Sequence, residues 1–251
     1  MVRVNKSFIV KRGLTPRETL ASSKQLSAYI HYAIKEKGES VWIAQREGRA
    51  KNSDDRTQTS LLKMLSMSGE SKSFIDSLKE INICPITITY EYDPCDFLKA
   101  KEFQQKRDNP EHKKTPQDDL INMQTGILGY KGQVVYNVSE CINDELDKIK
   151  EQTDNKNEQV KLAVELIDKK IHANYEIFPI NKWAYDKMYN TNLFINTLST
   201  EEVDKIEKYI KVQLEKVDLV NVDKDFLTEK IVEMYANPLK NKISVVGSDN
   251  I

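Results

Sequence analysis

Short apolar runs that alternate with helical segments constrain the fold of this chain more than any other feature. The runs cover residues 7–10, 41–45 and 83–90, and the last is rich in β-branched residues, which favour strands. Helical patterns separate them, so the order is strand, helix, strand, helix, strand. In this order the strands are expected to lie parallel under a cover of helices. The sequence therefore predicts an α/β fold with a mostly parallel sheet flanked by helices, and residues 133–139 supply one further strand.

The first helix carries clear boundary signals. Thr15 is a good N-cap, Pro16 takes the first helical position and Glu18 completes a capping box. Gly38 marks the end of this helix, because glycine readily follows a helix C-terminus. Two shorter helices are predicted further along, at residues 61–65 and 71–82.

The chain after residue 143 has a different pattern, which is helical throughout. A second capping box, Ser199 with Glu202, starts one of these helices. The tail after Asn241 is expected to fray. We therefore predict an α/β domain over residues 1–140 and a helical C-terminal region over 141–251, with helices near 143–151, 155–172, 182–189, 200–216 and 224–235.

Composition excludes several classes of function. The 251 residues carry a net charge of −1, so nothing indicates a nucleic-acid-binding protein. The three cysteines, Cys84, Cys95 and Cys141, are odd in number and lack the spacing of a metal site, which indicates reduced thiols in a cytoplasmic protein. No apolar run is long enough to cross a bilayer. We expect no metal and no cofactor, and peripheral contact at the inner membrane face stays open.

The segment from Val41 to Lys51 carries the strongest functional signal. Its apolar run ends abruptly in Arg46-Glu47-Gly48-Arg49. Arginine offers a planar fork of donors that suits phosphate, and glycine allows a ligand to approach the backbone. All seven arginines also lie before residue 108. The pattern predicts a site for a phosphorylated small molecule.

Three segments, taken in order over residues 1–140, resemble the glycerol-phosphate acyltransferase family. Phe8-Ile-Val-Lys-Arg12 is similar to the family's strand that ends in an arginine. Ile43-Ala-Gln-Arg-Glu-Gly-Arg49 is similar to its strand followed by a Glu-Gly-Arg type turn. Ile83-Cys-Pro85-Ile-Thr-Ile-Thr-Tyr90 is similar to its strand with a proline at the start.

The resemblance implies a role in glycerophospholipid synthesis. Enzymes of this family transfer an acyl group from a thioester donor, acyl-CoA or an acyl-carrier protein, to glycerol-3-phosphate or to its monoacyl ester, a lysophospholipid. The residues that would bind the substrate phosphate are Lys11, Arg12, Arg46, Glu47, Gly48 and Arg49. Within this set Arg12 is the main phosphate ligand, Glu47 organises the cations, and Gly48 keeps the turn tight. Pro85 would place a strand start beside the site.

The family's catalytic block, Asn-His-x-x-x-x-Asp, has no counterpart in these 251 residues. The histidine of that block is a general base that the aspartate orients. His31, His112 and His172 are followed at the aspartate position by Glu36, Gln117 and Ile177. We expect them to be two helix residues and, in the case of His112, a loop residue. The chain therefore resembles a family member without its N-terminal portion, and we expect it to have no catalytic residues and little or no acyl transfer.

Two further classes of function stay open. The chain could be a non-catalytic module that binds a phospho-ligand or a lipid headgroup through Arg12 and Arg49. A phosphatase or phosphotransferase ranks lower, because the sequence offers neither a glycine-rich phosphate loop nor an aspartate nucleophile motif.

Overall fold

A computed structural model describes residues 13–48 and 50–248 of the chain. The predicted strand at 7–10, together with Lys11, Arg12 and Arg49, lies outside the described residues.

The described residues form ten α-helices, a short 3-10 helix (Ile195–Thr197) and two strands. The strands are β1 (Ile86–Tyr90) and β2 (Val134–Val138). The helices, in chain order, are α1 (Pro16–Lys35), α2 (Thr59–Leu65), α3 (Phe74–Lys79), α4 (Asp96–Asp108), α5 (Pro116–Leu128), α6 (Asn143–Gln152), α7 (Lys156–Ala173), α8 (Pro179–Tyr189), α9 (Thr200–Glu215) and α10 (Lys224–Val246).

The predicted parallel sheet is wrong. The sheet in the described part of the chain has two strands, and β1 pairs with β2 in antiparallel register, with Ile88 opposite Tyr136. The expected strand at 41–45 is irregular, and Trp42 within it is 76% exposed. β-branched residues indicate that a segment is suited to a β-sheet. A strand forms only where a neighbouring segment pairs with it through backbone hydrogen bonds. No described segment forms a strand pair with residues 41–45.

The helix predictions are confirmed at most positions. In α1, Glu18 Oε2 accepts from the Thr15 backbone N–H at 2.9 Å, which forms the predicted capping box. The Ser199–Glu202 box starts α9 in the same way. The expectation of a frayed tail after Asn241 is wrong, because α10 continues to Val246 and buries Asn241.

The chain divides into two compact units, each assembled from separate stretches. The first comprises the described residues up to Glu47 with Arg56–Pro85 and Glu140–Asp168, and the second comprises Gly48–Asp55, Ile86–Ser139 and the described residues from Lys169 onward.

The first unit packs α1, α2, α3 and α6 around a small apolar core. Its fully buried side chains include Leu62, Ile75, Leu78 and Leu146. The carbonyl of Leu65 accepts hydrogen bonds from two buried side chains of α1, Ser27 Oγ at 3.0 Å and His31 Nε2 at 2.9 Å. These bonds satisfy polar groups that burial would otherwise leave without water.

The second unit is organised around α10. Leu227, Ile231 and Leu239 are completely buried on this helix, which packs against α8 and α4 within a large apolar core. Pro238 lies inside α10, yet the helix continues through it. Proline removes one helix hydrogen bond, and packing on both sides offsets that loss. None of the described helices combines the length and apolar character that crossing a bilayer requires.

Candidate functional site

The predicted phosphate-binding residues lie in an irregular loop, residues 45–57, that separates α1 from α2. Its entrance belongs to the first unit. Gln58 fixes this entrance, because its backbone N–H donates to the Gln45 carbonyl at 2.9 Å and its Oε1 accepts from the Glu47 N–H at 2.8 Å. The predicted strand is therefore replaced by a loop with a defined backbone path at its entrance.

Thr57 fixes the exit of the loop within the same unit. Its backbone N–H and its hydroxyl both donate to Asp168 Oδ1, at 2.8 and 2.6 Å. Both side chains are buried. Charge-assisted hydrogen bonds of this kind are about twice as strong as neutral ones, so the exit has little freedom.

The middle of the loop, Gly48–Asp55, belongs to the second unit and is held there by buried side chains. Asn237 Nδ2 donates to the Asn52 carbonyl at 2.7 Å. Asn241 Nδ2 donates to Asp54 Oδ1 at 3.0 Å. Burial of a polar group costs free energy unless the group is hydrogen-bonded. The two bonds to the loop therefore offset the cost of burying these amides.

His172 adds a third anchor from α7. Its Nε2 lies 3.0 Å from the carbonyl oxygen of Asp55, and its ring stacks on Tyr175. Ser53 has a φ of 58°, which is costly for a residue other than glycine. A non-glycine residue persists in this conformation only where its surroundings impose it, which is consistent with a loop held in one shape.

Lys51 connects the loop to α4 through the buried carboxylate of Glu102. Lys106 approaches the same oxygen at 3.3 Å, and Lys114 approaches the other oxygen at 2.7 Å. Burial is the largest single influence on the pKa of Glu102 and would raise it, but Lys114 and Lys51 together bring this pKa below its usual value. Lys51 lies close to the predicted phosphate-binding turn in the sequence, whereas Glu102, Lys106 and Lys114 lie far from it along the chain and were not predicted.

The other predicted site residues are distributed as follows. Arg46 is half-buried, and its Nε donates at 3.5 Å to the Glu47 carbonyl; it pairs with no carboxylate among residues 13–48 and 50–248. Glu47 and Gly48 are exposed. Gly48 has a φ of +76°, so a glycine is needed there for backbone conformation. Pro85 is buried and directly precedes β1, as expected of a strand start.

The three histidines occupy the expected kinds of position. His31 lies on α1 and His172 on α7, and His112 lies in the loop between α4 and α5. His31 and His172 are buried, and each contacts a backbone carbonyl through Nε2. Both are explained by packing.

A second buried polar cluster surrounds Asp96, the first residue of α4. Its carboxylate accepts from the hydroxyls of Tyr209 and Tyr235, each at 2.8 Å, and from Gln213 Nε2 at 2.7 Å. Burial raises the pKa of Asp96 to about 7 despite these donors. Spacing along the chain could not reveal this cluster, because its members come from α4, α9 and α10.

No family model, curated protein or solved structure matches this chain. Over the part of the chain with described coordinates, no group of three His, Cys, Asp or Glu side chains converges to hold a metal ion.

Proposed function

We propose that this chain binds the phosphate of a phosphorylated glycerol compound, glycerol-3-phosphate or its monoacyl ester, at the turn that begins with Arg46. The observation that carries this proposal is the defined backbone of the loop entrance around Arg46. The Glu47 N–H donates to Gln58 Oε1 and the Gln58 N–H donates to the Gln45 carbonyl, all within the first unit. A preorganised loop binds its ligand without first losing conformational entropy.

The chemistry of the turn supports an anionic ligand. Arg46 has no carboxylate partner among the described residues, so its guanidinium is available to an incoming oxyanion. Gly48, exposed and at positive φ, leaves the backbone accessible. The sequence adds Arg49 next to this glycine.

The resemblance to glycerol-phosphate acyltransferases suggests the reaction in which such a site would serve. An acyl thioester, carried by coenzyme A or by an acyl-carrier protein, would be the donor. These 251 residues contain no Asn-His-x-x-x-x-Asp element, and His31 and His172 are engaged with backbone carbonyls. Loss of a general base removes about 10²–10⁴-fold of rate. We therefore expect this polypeptide to bind the acceptor with little or no acyl transfer.

A lipid-headgroup-binding module is the second candidate. The apolar surface of α5 favours it: Ile127 and Leu128 are 69% and 75% exposed. Exposed apolar patches often mark contacts with membranes or proteins. A lysophospholipid would then bind more tightly in vesicles than its soluble headgroup does.

Calorimetric titration with glycerol-3-phosphate tests the proposal. Arg46→Ala should weaken binding about 10-fold or more, because charge-assisted hydrogen bonds contribute about 1.5–3 kcal/mol. Arg17→Ala is the matched control, since Arg17 is exposed on α1, and it should bind as the unaltered chain does. Equal affinities for the two variants would contradict the proposal, and rapid acyl transfer by this polypeptide would contradict its expected inactivity.

A further inference from the structure

Three ammonium groups converge on one buried carboxylate in the second unit. Glu102, on α4, is 4% exposed. Its Oε1 is approached by Lys51 and, at 3.3 Å, by Lys106, while its Oε2 is approached by Lys114 at 2.7 Å. We call these four residues the Glu102 cluster. They come from the 45–57 loop, from α4 and from the segment that follows α4.

The charges in this cluster do not balance. Three ammonium groups and one carboxylate leave a net charge of +2 within a few ångströms. Among the described residues, Glu102 is the one carboxylate within ion-pair distance of any of these lysines. Like charges that approach the same carboxylate repel each other, and the repulsion grows as the surroundings become less polar than water.

The arrangement leaves the positive charge accessible. The lysine side chains are 30%, 49% and 32% exposed for Lys51, Lys106 and Lys114, whereas the Glu102 side chain is 5% exposed. The carboxylate thus forms the floor and the ammonium groups form the rim. Burial lowers the pKa of Lys51, and the charge of Lys106 acts in the same direction.

A purely structural role explains only part of this geometry. One lysine is enough to pair a buried carboxylate and to attach the loop to α4. The second and third lysines add repulsion, and they lose side-chain entropy when they are held in place. An anion bound at the rim would offset both costs.

We propose that the Glu102 cluster is a binding site for a phosphomonoester dianion, whose two charges neutralise the excess of +2. Lysine binds phosphate as a point charge with three donors, so three lysines supply enough donors for a terminal phosphate group. A carboxylate or a phosphodiester carries one charge and leaves the cluster unbalanced. This inference goes beyond the proposed function, because the cluster includes none of the predicted phosphate-binding residues.

Binding of inorganic phosphate, followed by calorimetry and by the NMR shifts of labelled lysine side chains at constant ionic strength, tests the proposal. Phosphate should shift the Lys106 and Lys114 signals. The Lys106→Gln/Lys114→Gln double variant should bind phosphate at the cluster about 10-fold more weakly or worse. Lys161→Gln is the matched control, because Lys161 is exposed and makes an i,i+4 pair with Glu165; it should not alter binding.

The pH dependence gives a second readout. Phosphate monoesters lose their second proton near pH 6, so binding of glycerol-3-phosphate to the cluster should weaken as the pH falls below that value. Acetate, a monoanion, should compete poorly. Millimolar phosphate that leaves both lysine signals unmoved would overturn the proposal, as would equal affinities for the double variant and for Lys161→Gln.

The source of the phosphate is decided by comparing ligands. Glycerol-3-phosphate and vesicles that contain phosphatidic acid share the dianionic group. If the soluble ester binds and the lysine substitutions weaken its binding, the ligand is a free metabolite. If vesicles bind in this lysine-dependent way, the ligand is a lipid headgroup. If neither binds, the proposed site is overturned. Arg46→Ala should leave the lysine shifts intact, so failure of the proposed function and failure of this inference are separable.

Discussion

Individual polar side chains in the second unit hold residues 48–55, the middle of the 45–57 loop. Asn237 and Asn241 lie one helical turn apart on α10, on the same face as apolar core residues. An amide within an apolar stripe is costly unless it is hydrogen-bonded. In the sequence this pair breaks the hydrophobic pattern of α10, and that break was the available signal for a loop anchored from the C-terminal region.

Asp96 is the residue whose protonation should most affect stability. Its neighbours are the hydroxyls of Tyr209 and Tyr235, the Gln213 amide and the carboxylate of Asp93, which pairs with Lys99. The pKa of Asp96 rises from 3.8 to about 7 on folding. The folded state therefore binds the proton more tightly than the unfolded state does. Protonation of Asp96 therefore stabilises the folded state. This stabilisation is fully present below about pH 4 and is lost as the pH rises through 7.

Asp96→Asn tests this linkage, because asparagine does not titrate. The free energy of unfolding of the unaltered chain, relative to Asp96→Asn, should fall as the pH rises from 5 to 8. The slope should be on the order of 1 kcal/mol per pH unit up to about pH 7. Urea unfolding at four pH values measures it. A difference between the two proteins that stays constant with pH would refute the raised pKa.

At the scale of elements, local signals located helix starts better than helix ends, since α10 continues to Val246 rather than ending near residue 235. Capping boxes at Thr15 and Ser199 predicted helix starts that the structure confirms, because a cap needs only residues three positions apart. Strands were a different case. The apolar run at 41–45 has the composition of a strand but is irregular, and β1 pairs with a strand more than forty residues away.

Two glycines with opposite roles give a prediction at this scale. Gly48 has a φ of +76° in the loop, so Gly48→Ala should destabilise the chain by about 1 kcal/mol. Gly126 lies inside α5, where an added Cβ would meet only the Cys95 sulfur at 3.6 Å. Gly126→Ala should therefore stabilise by about 0.5–1 kcal/mol, because alanine loses less backbone entropy in a helix. Urea unfolding of both variants checks the signs, and a shared sign would contradict the assignment.

At the scale of the whole chain, several apolar side chains on α5 and β2 of the second unit have no cover among the described residues. Helix α5 buries none of its residues. Tyr136 and Val138 on β2 are also largely exposed. Large exposed apolar patches mark interaction surfaces or sites of aggregation, and the two-stranded sheet has open edges that add to this tendency.

Polar substitution on α5 should reduce self-association without loss of stability. The double variant Ile127→Lys/Leu128→Lys removes two side chains that are 69% and 75% exposed. We expect lower light scattering and weaker binding of a hydrophobic dye, with an unchanged unfolding midpoint. Val220→Lys is the control, since Val220 is fully exposed on a loop outside α5 and β2. Equal scattering by the double variant and the control would argue against an adhesive patch.

The candidate site shows how far the sequence could predict function. The Arg46-Glu47-Gly48-Arg49 turn was visible because its residues are adjacent in the chain. The role of Glu102 was not visible, because this residue is separated from Lys51 by 51 positions. It also lies in a helix whose charged sequence is typical of a solvent-exposed helix. The Asp96 cluster was missed for the same reason.

The sequence by itself determined where α1 and α9 begin and which glycine permits a tight turn. Each of these depends on neighbours within a few positions. The tertiary structure alone decided that β1 and β2 pair antiparallel, that Asn237 and Asn241 hold the loop, and that three lysines meet on Glu102. Those outcomes depend on contacts between residues far apart in the chain, and the free energy of such contacts is set by packing and burial rather than by local preference.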